Sequence, residues 1–283
     1  MIEGEIALSD REFSRVKSRV YAEAGISLSD AKRTLVVSRL TKLVRALGLA
    51  TFDDYLDYLE RAGTEKDAQE FVNALTTNLT RFFREDHHFT HLVGYVGEII
   101  EREKGRGAKL RIWSAGCSTG QEPYTIALSL LAAHPQLARW DFRILATDID
   151  TNVIARAAQG IYPESELGGL SPERARLFER PGEGNIRIPA AARSIVAFKP
   201  LNLMAPGWPM KGPFDAIFCR NVAIYFDKPT QATLFSRLGK MLTPGGFLYI
   251  GHSENLGAGG EGFRLVGKTI YQSRAVQKAR DAA

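Results

Sequence analysis

The chain changes its pattern near residue 100, and this change constrains its fold more than any other feature. Up to about residue 90 the apolar residues recur with a helical period, whereas from about residue 108 short apolar runs alternate with longer amphipathic runs. Such alternation is typical of a parallel sheet that is covered by helices on both faces. We therefore expect a doubly wound α/β sheet that follows a small helical domain.

The first 90 residues predict four short helices in series. Ser9 and Glu12 have the spacing of a capping box, and Ser29-Asp30 and Thr51 stand where the second and third helices should begin. A fourth helix is expected in DAQEFVNALT. Four helices of this length are typical of a small bundle.

The second half predicts a sheet with an insertion. The expected strands are KLRIWSAG, FRILATDID, PFDAIFCRN and GFLYIGH, and FRLVGKTIYQS is expected to form a final antiparallel hairpin. Residues 160–200 interrupt the alternation, and their strand candidates, NIRI and SIVAF, predict a small antiparallel β insertion over about 165–200. The ligand of a doubly wound sheet lies at the carboxyl ends of its strands.

The composition excludes several classes of protein. The N-terminus, MIEGEIALSD, lacks the basic start and apolar core of a signal peptide, and no apolar run approaches the ~18 residues of a membrane span. The two cysteines, Cys117 and Cys219, form no CxxC pair, so we expect neither structural zinc nor a disulfide framework. These features predict a cytoplasmic protein that does not insert into membranes.

Nine basic residues lie between positions 11 and 45, where only three acidic residues oppose them. One interpretation is a solvated helix surface, and the other is a docking surface for an acidic partner. The segment has no aromatic interleaving and no recognition-helix motif, so we do not expect a nucleic acid. The basic residues are Arg11, Arg15, Lys17, Arg19, Lys32, Arg33, Arg39, Lys42 and Arg45.

The segment IWSAGCSTGQEP, at 112–123, carries the clearest ligand signal. A phosphate loop needs GxxxxGK[ST], but no basic residue follows Gly120. In the dinucleotide pattern GxGxxG the middle glycine is replaced by Ser118, and Glu122 would repel a phosphate at the start of the helix. A cationic ligand without phosphate fits better. S-adenosylmethionine is such a ligand, with its methionyl part against Gly116 and Gly120.

Two acidic residues lie at the end of the second expected strand. Asp148 is the first acid of ILATDID, at a position where a carboxylate can accept hydrogen bonds from ribose hydroxyls. Dinucleotide-binding proteins share this feature, so it does not identify the ligand alone. Asp150 is expected to cap the helix that begins near Thr151.

Three histidines raise the question of a metal, because His87 and His91 share a helical face with His88 beside them. No cysteine or carboxylate set completes a metal site. We therefore expect packing or capping roles and no metal.

Five motifs then point to a known family. The chain resembles the CheR family of chemotaxis receptor methyltransferases, in order and over nearly its whole length. The resemblance implies a class I S-adenosylmethionine-dependent methyltransferase fold, a Rossmann-like doubly wound sheet over 91–283, behind a receptor-docking helical domain over 1–90. The motifs are TNLTRFFREDHHF, WSAGCSTGQEPYT, ATDID, FDAIFCRNVAIYF and LTPGGFLYIGHSENL.

The resemblance also implies an activity. Bacterial members of the family transfer a methyl group from S-adenosylmethionine to glutamate side chains of chemoreceptors, the methyl-accepting chemotaxis proteins. The products are γ-glutamyl methyl esters and S-adenosylhomocysteine, and the reaction serves sensory adaptation. The basic N-terminal helices would dock on the acidic helical cytoplasmic domain of the receptor. We expect a cytoplasmic monomer that is associated with receptor arrays.

The resemblance assigns roles to particular positions. It places Arg84 and Tyr225 next to the transferred methyl group, as candidate catalytic residues. The candidate cofactor-binding residues are Asn78, Thr80, Arg84, Gly116, Ser118, Glu122, Asp148, Asn202, Leu203, Arg220 and Asn221. Family members that need a peptide tether at the receptor C-terminus have a longer loop in the insertion, whereas ERPGEGNIRI is short. This difference predicts an enzyme that works without the C-terminal pentapeptide.

Three rival interpretations receive less support. Methylation of an adenine amino group would favour an Asn/Asp-Pro-Pro-aromatic motif, but CRNVAIYF stands in its place. A catalytically silent sensor or adaptor would have no need for the intact set of Arg84, Glu122, Asp148, Asn221 and Tyr225. A dehydrogenase would require nicotinamide binding.

Overall fold

A computed structural model describes residues 6–103 and 109–274. The first part of the chain forms a helical unit in which three helices begin with capping boxes, including the expected one at Ser9 and Glu12. The four expected helices are all present. They are α1 (Asp10–Ala24), α2 (Arg33–Ala46), α3 (Phe52–Arg61) and α4 (Glu65–Leu75).

The remaining elements form a sheet unit. Its strands are β1 (Lys109–Ala115), β2 (Asp141–Asp148), β3 (Ile161–Pro163), β4 (Glu179–Gly182), β5 (Asn185–Arg187), β6 (Val196–Pro200), β7 (Phe214–Cys219), β8 (Leu242–Ile250), β9 (Phe263–Gly267) and β10 (Ile270–Ser273). Its helices are α5 (His87–Glu103), α6 (Gln121–Ala133), α7 (Thr151–Gln159), α8 (Pro172–Ala175), α9 (Ala190–Ser194) and α10 (Lys228–Lys240).

Seven strands form the main sheet in the order β6-β2-β1-β7-β8-β10-β9. The first five run parallel, and β10 runs antiparallel to both of its neighbours. The strand order turns back at β1, so the chain leaves β1 and β7 toward helices on opposite faces of the sheet, and a crevice opens at the carboxyl ends of these strands. The doubly wound sheet and its final hairpin are thus confirmed.

The insertion differs from the prediction. The segment SIVAF does not belong to it, because Val196–Pro200 forms β6 and pairs in parallel with β2, with Ile144 opposite Val196. The small antiparallel sheet has the order β3-β5-β4 and spans residues 161–187 instead of about 165–200. The helix directly before β6 is α9, which has only five residues. The sequence therefore shows no long helix just before this strand.

The boundary between the two units also lies earlier than residue 90. The core of the helical unit includes Leu75. In contrast, Phe82, Phe83 and Phe89 are buried in the core between the sheet and helices α5 and α6. The apolar period of α5 is the same as that of the preceding helices, so the sequence pattern does not show which core this helix joins.

Alternate residues of the central strands enter two different cores. In β1, Ile112 faces the core under α5 and α6, whereas Trp113 faces the core under α10. Polar contacts join the helical unit to the sheet unit. Gln69 Nε2 donates to the Ile149 carbonyl at 2.8 Å. Within residues 6–103 and 109–274, none of the helices has both the length and the apolar character that a membrane crossing needs.

Candidate active site

A cavity opens at the carboxyl ends of β1, β2, β6 and β7, beside the linker that joins α4 to α5. The helical unit supplies part of its wall through Ala24, Ile26 and Leu75. Every candidate catalytic and cofactor-binding residue assigned by the resemblance lines this one cavity, whereas Gly120, which was expected against the methionyl part of the cofactor, does not. The candidates that line the cavity are Asn78, Thr80, Arg84, Gly116, Ser118, Glu122, Asp148, Asn202, Leu203, Arg220, Asn221 and Tyr225.

The two glycines of the loop after β1 are needed by the protein itself. Both have left-handed backbones, with φ of +84° at Gly116 and +95° at Gly120. A Cβ on Gly116 would lie 2.2 Å from Val222 Cγ2, and one on Gly120 would lie 2.8 Å from Tyr162 Oη. The sequence suggested that these glycines admit a ligand. The structure adds that Gly116 lets the loops after β1 and β7 approach each other.

Asp148 fixes the loop after β1 to the end of β2. Its Oδ2 accepts the Ser118 N–H at 2.8 Å, and its Oδ1 accepts the Asp150 N–H at 3.0 Å. Burial raises the pKa of the Asp148 carboxyl, although these N–H donors favour its charged form. A carboxylate has about four acceptor sites. Asp148 can therefore still accept a hydroxyl from a ligand in the cavity.

Glu122 is held from two sides at the start of α6. Ser114 Oγ donates to its Oε1 at 2.7 Å, and Arg220 Nη1 donates to its Oε2 at 3.2 Å. Burial raises the pKa of the Glu122 carboxyl, and the nearby Arg220 guanidinium partly offsets this shift. The cavity therefore contains a fixed acidic group close to where the sequence placed a cationic ligand.

Arg220 connects three parts of the site. Its side chain is only 2% exposed, and besides Glu122 it reaches the Arg84 carbonyl oxygen and lies 3.5 Å from Glu85 Oε2. The guanidinium therefore binds protein groups, and its expected contact with the cofactor stays a prediction. Within the protein, Arg220 links Glu122 of α6 to the turn that carries Arg84.

Arg84 projects from a strained turn. Its neighbours Phe83 and Glu85 have φ of 55° and 57°, in the left-handed region that costs a non-glycine residue about 1–3 kcal/mol. Arg84 as a whole residue is half-buried, and its Nη1 donates to the Leu79 carbonyl at 3.0 Å. Strain of this kind persists only where surrounding contacts enforce it. Here the Arg220 contact and a bond from the Phe83 N–H to Thr125 Oγ1, at 3.2 Å, do so.

Asp150 confirms its expected capping role and adds another. Its Oδ1 accepts the N–H groups of Asn152 and Val153 at the start of α7. Its Oδ2 accepts Asn78 Nδ2 at 2.8 Å and Thr76 Oγ1 at 2.7 Å. Asp150 thus ties the linker to the sheet unit, which local sequence spacing could not reveal.

The far end of the cavity is apolar. Leu203 and Phe226 are buried there, close to the helical unit. Asn202 donates from Nδ2 to the Glu23 carbonyl at 2.6 Å and accepts the Met204 N–H at Oδ1, at 2.8 Å. Asn202 therefore anchors this wall to α1.

Sequence models of one family match both units. The model described as "CheR methyltransferase, all-alpha domain" matches residues 11–76, and that described as "CheR methyltransferase, SAM binding domain" matches residues 78–272. The chain belongs to the CheR methyltransferase family. The fold is accordingly that of an S-adenosylmethionine-dependent methyltransferase behind an all-α domain.

Several curated relatives of this CheR-family chain are chemotaxis proteins. The "Chemotaxis protein methyltransferase" of Escherichia coli (strain K12) is 44% identical over 94% of this chain and 92% of the relative. The protein of the same name from Salmonella typhimurium (strain LT2) is 45% identical over 94% and 91%. A "Probable chemotaxis protein methyltransferase" from Rhizobium etli is 44% identical over 89% and 96%.

S-adenosylmethionine is the cofactor of this CheR-family methyltransferase, and the cavity suits it. The cavity offers carboxylates at Glu122 and Asp148, a guanidinium at Arg84 and an apolar wall at Leu203 and Phe226. Groups of these kinds can bind an ammonium group, hydroxyls, a carboxylate and an aromatic ring, all of which S-adenosylmethionine has. No phosphate is needed to account for this set of groups.

The histidines weighed for metal binding make other contacts. Nε2 of His87 lies 2.9 Å from the Lys268 carbonyl, and Nδ1 of His91 lies 3.0 Å from Tyr249 Oη. Burial lowers the pKa of His88 to about 3, so its ring is neutral. These contacts fasten α5 to the sheet, in line with the expected packing role.

Two acids that support the walls of the site were missed by sequence reasoning. Glu85 and Glu254 both lie within the quoted family motifs, but no spacing rule assigned them a role. Glu85 accepts His252 Nδ1 at 3.0 Å. Glu254 accepts several backbone N–H groups at once, and only the folded chain brings these donors together.

Proposed function

We propose that this methyltransferase methylates glutamate side chains of chemoreceptors, producing γ-glutamyl methyl esters in chemotactic adaptation. The observation that carries the proposal is that Arg84 and Tyr225 both line the cofactor cavity, with Arg84 in a strained turn. An arginine can bind a carboxylate through two parallel hydrogen bonds. The names of the curated relatives support the chemotactic role.

A carboxylate acceptor makes few chemical demands on the protein. A glutamate has an ordinary pKa of about 4.3, so it is ionised at neutral pH and needs no general base. When bound, S-adenosylmethionine supplies an electrophilic methyl group on a sulfonium. The protein has to orient the acceptor and exclude water. Arg84 would hold the acceptor carboxylate or that of the cofactor, and the Tyr225 hydroxyl would direct the acceptor.

The cofactor-binding roles form part of the same proposal. Glu122 would face the ammonium group, and Asp148 would accept the ribose hydroxyls. Asn202 and Leu203 would lie beside the adenine. The remaining proposed contacts come from the linker and from the loops after β1 and β7: Asn78, Thr80, Gly116, Ser118, Arg220 and Asn221.

Tandem mass spectrometry tests the acceptor directly. A purified receptor cytoplasmic fragment is incubated with the enzyme and S-adenosylmethionine, and the methyl groups are located on its peptides. We expect them on glutamates, and a fragment with those glutamates changed to alanine should remain unmodified. Methyl groups on lysine, arginine or asparagine would show that the acceptor is wrong.

We propose that the receptor docks on the exposed cations of α2. Several basic residues of the N-terminal cluster are neutralised: Arg15, Lys17 and Arg33 form ion pairs with acids of the same unit. In contrast, Lys42 and Arg45 are exposed and three residues apart on α2, and neither forms an ion pair with residues 6–103 or 109–274. This surface is complementary to an acidic helix.

A charge-reversal pair tests the docking surface. Lys42→Glu with Arg45→Glu should raise KM for the receptor while kcat and cofactor affinity stay unchanged, because rim charges govern encounter. The effect should shrink as salt is added. The matched control is Arg139→Glu with Lys240→Glu, two exposed cations of the sheet unit. An equal rise in KM for the control would refute a specific α2 surface.

We also propose that the enzyme works without a tether, as a cytoplasmic monomer at receptor arrays. The turn between β4 and β5 consists of Glu183 and Gly184 alone, with φ of 57° and 68°. A two-residue turn of this kind is shorter than the loop that tether-dependent family members have in the insertion. Titration calorimetry with a receptor C-terminal pentapeptide should detect no binding, and tight binding would contradict the proposal.

A further inference from the structure

Glu254 collects backbone donors from two loops. Its Oε2 accepts the N–H groups of Asn221 at 2.9 Å and Gly251 at 2.5 Å. Its Oε1 accepts those of Val222 at 3.0 Å and Ile224 at 3.2 Å. The residue is only 8% exposed. A single buried carboxylate thus satisfies four N–H groups, three of which belong to the loop after β7.

The loop that Glu254 holds forms one wall of the cofactor cavity. It carries Asn221 and Tyr225, which both line the cavity. Asn221 has φ of 58°, an unfavourable backbone for a residue with a side chain. Without Glu254, three partly buried donors of this loop would lose their acceptor. The observed loop conformation therefore depends on an acceptor at the position of Glu254.

The short segment after β8 that carries Glu254 also contacts the opposite wall of the cofactor cavity. His252, two residues before Glu254, contacts Glu85 Oε1 through Nδ1 at 3.0 Å. Glu85 follows Arg84 in the strained turn. The segment after β8 thus fastens the two protein segments that carry Arg84 and Tyr225.

We propose that Glu254 is a positioning residue for methyl transfer, which holds the loop of Asn221 and Tyr225 in its working conformation. The proposal rests on the roles proposed above for these two residues. Glu254 itself does not line the cavity. It acts through the backbone of the loop, and it contacts neither acceptor nor cofactor.

The chemistry at this position requires both oxygens of a carboxylate. All four partners are N–H donors, and each oxygen accepts two of them. A glutamine would direct its own N–H groups at two of these donors, whereas an aspartate keeps both acceptors on a shorter side chain. Burial raises the pKa of Glu254, but the backbone donors act in the opposite direction and favour the charged form.

Two variants and a matched control test the proposal. Glu254→Gln turns an amide N–H group toward two of the backbone donors and leaves them unsatisfied, a cost that corresponds to a loss of about 5- to 150-fold. We expect this loss in affinity for S-adenosylhomocysteine, measured by calorimetry, and in kcat at matched folded fraction. Glu254→Asp should lose less of both. The control is Asp215→Asn, which changes a half-buried acid at the opposite end of β7 that accepts the Arg111 N–H.

The outcomes separate positioning from general stability. The proposal holds if Glu254→Gln lowers affinity and kcat while Asp215→Asn lowers only the melting temperature. It fails if Glu254→Gln lowers the melting temperature alone. If Glu254→Gln does not fold, Glu254→Asp decides: a reduced kcat supports the proposal and a wild-type kcat overturns it. If the wild-type enzyme does not methylate glutamate, the acceptor proposal fails, and the calorimetric comparison still judges Glu254.

Discussion

Arg15 in the helical unit and Arg220 in the sheet unit both bind several carboxylates, but in different surroundings. Arg15 pairs with Asp53 and Asp57 at 2.7 Å, and its side chain is 24% exposed. Arg220 pairs with Glu122 at 3.2 Å, and its side chain is 2% exposed. Exposed ion pairs contribute little to stability, whereas a buried charge that loses its partner is costly.

This difference separates two uses of the same pair of side chains. The Arg15 pairs join α1 to α3 across a surface that water and salt can screen. The Arg220 pair lies between the cavity and the turn that carries Arg84, so a change at Glu122 reaches the backbone of that turn. The helical unit therefore uses ion pairs for packing, and the sheet unit uses them to shape its site.

The largest effect is expected for Arg220→Ala. This change removes the guanidinium that pairs with both Glu122 and Glu85, which should lower the free energy of unfolding by about 3–5 kcal/mol. Cofactor affinity should fall with it, because the turn of Arg84 loses its support. Urea unfolding and calorimetry with S-adenosylhomocysteine measure both quantities. A loss of stability below 1 kcal/mol would make Arg220 no different from Arg15.

The next effect is expected for Arg84→Ala. A misplaced acceptor costs about 10²-fold in rate, so kcat should fall by at least that factor while cofactor affinity falls much less. Arg84→Lys keeps the charge and loses the two-point contact, so it should recover only part of the rate. Single-turnover methyl transfer and calorimetry provide the comparison. Equal losses of binding and transfer would limit Arg84 to a binding role.

A smaller effect is expected from pH. Burial raises the pKa of the Glu122 and Asp148 carboxyls, so both become protonated at a higher pH than exposed acids. Affinity for the cationic cofactor should therefore fall as the pH drops from 7. The fall should begin at a higher pH than the protonation of ordinary carboxyls, whose pKa is about 4. Calorimetry at several pH values measures this. Glu122→Gln should flatten the profile, and an unchanged profile would exclude Glu122 as the titrating group.

The smallest effect is expected for Arg15→Ala. Its loss should cost no more than about 1 kcal/mol of unfolding free energy, and high salt should reduce the difference. Cofactor affinity should be that of the wild type. A large, salt-independent loss would remove the contrast with Arg220.

Sequence reasoning succeeded where the cause was local. The capping box at Ser9 and Glu12 and the cap at Asp150 depend on residues a few positions apart, and both are present. The resemblance to the family likewise named candidate site residues that line one cavity in the structure. The pattern of SIVAF showed a strand but did not show its partner, since register is settled between distant segments.

Ion pairs and hydrogen bonds between distant parts of the chain were the other limit on prediction from the sequence. The acids that neutralise Arg15 lie 38–45 residues further along the chain, so the sequence overstated the basic surface. The role of Glu254 depends on donors about 30 residues away, which only the fold brings together.

The most direct test of the central claim is the lability of the transferred methyl group. Labelled S-adenosylmethionine is incubated with the enzyme and receptor-containing membranes, and the receptor band is then treated with mild base. We predict that the label leaves as volatile methanol, since a carboxyl methyl ester hydrolyses under these conditions. Label that stays on the receptor would show a nitrogen or carbon acceptor and would contradict the proposed function.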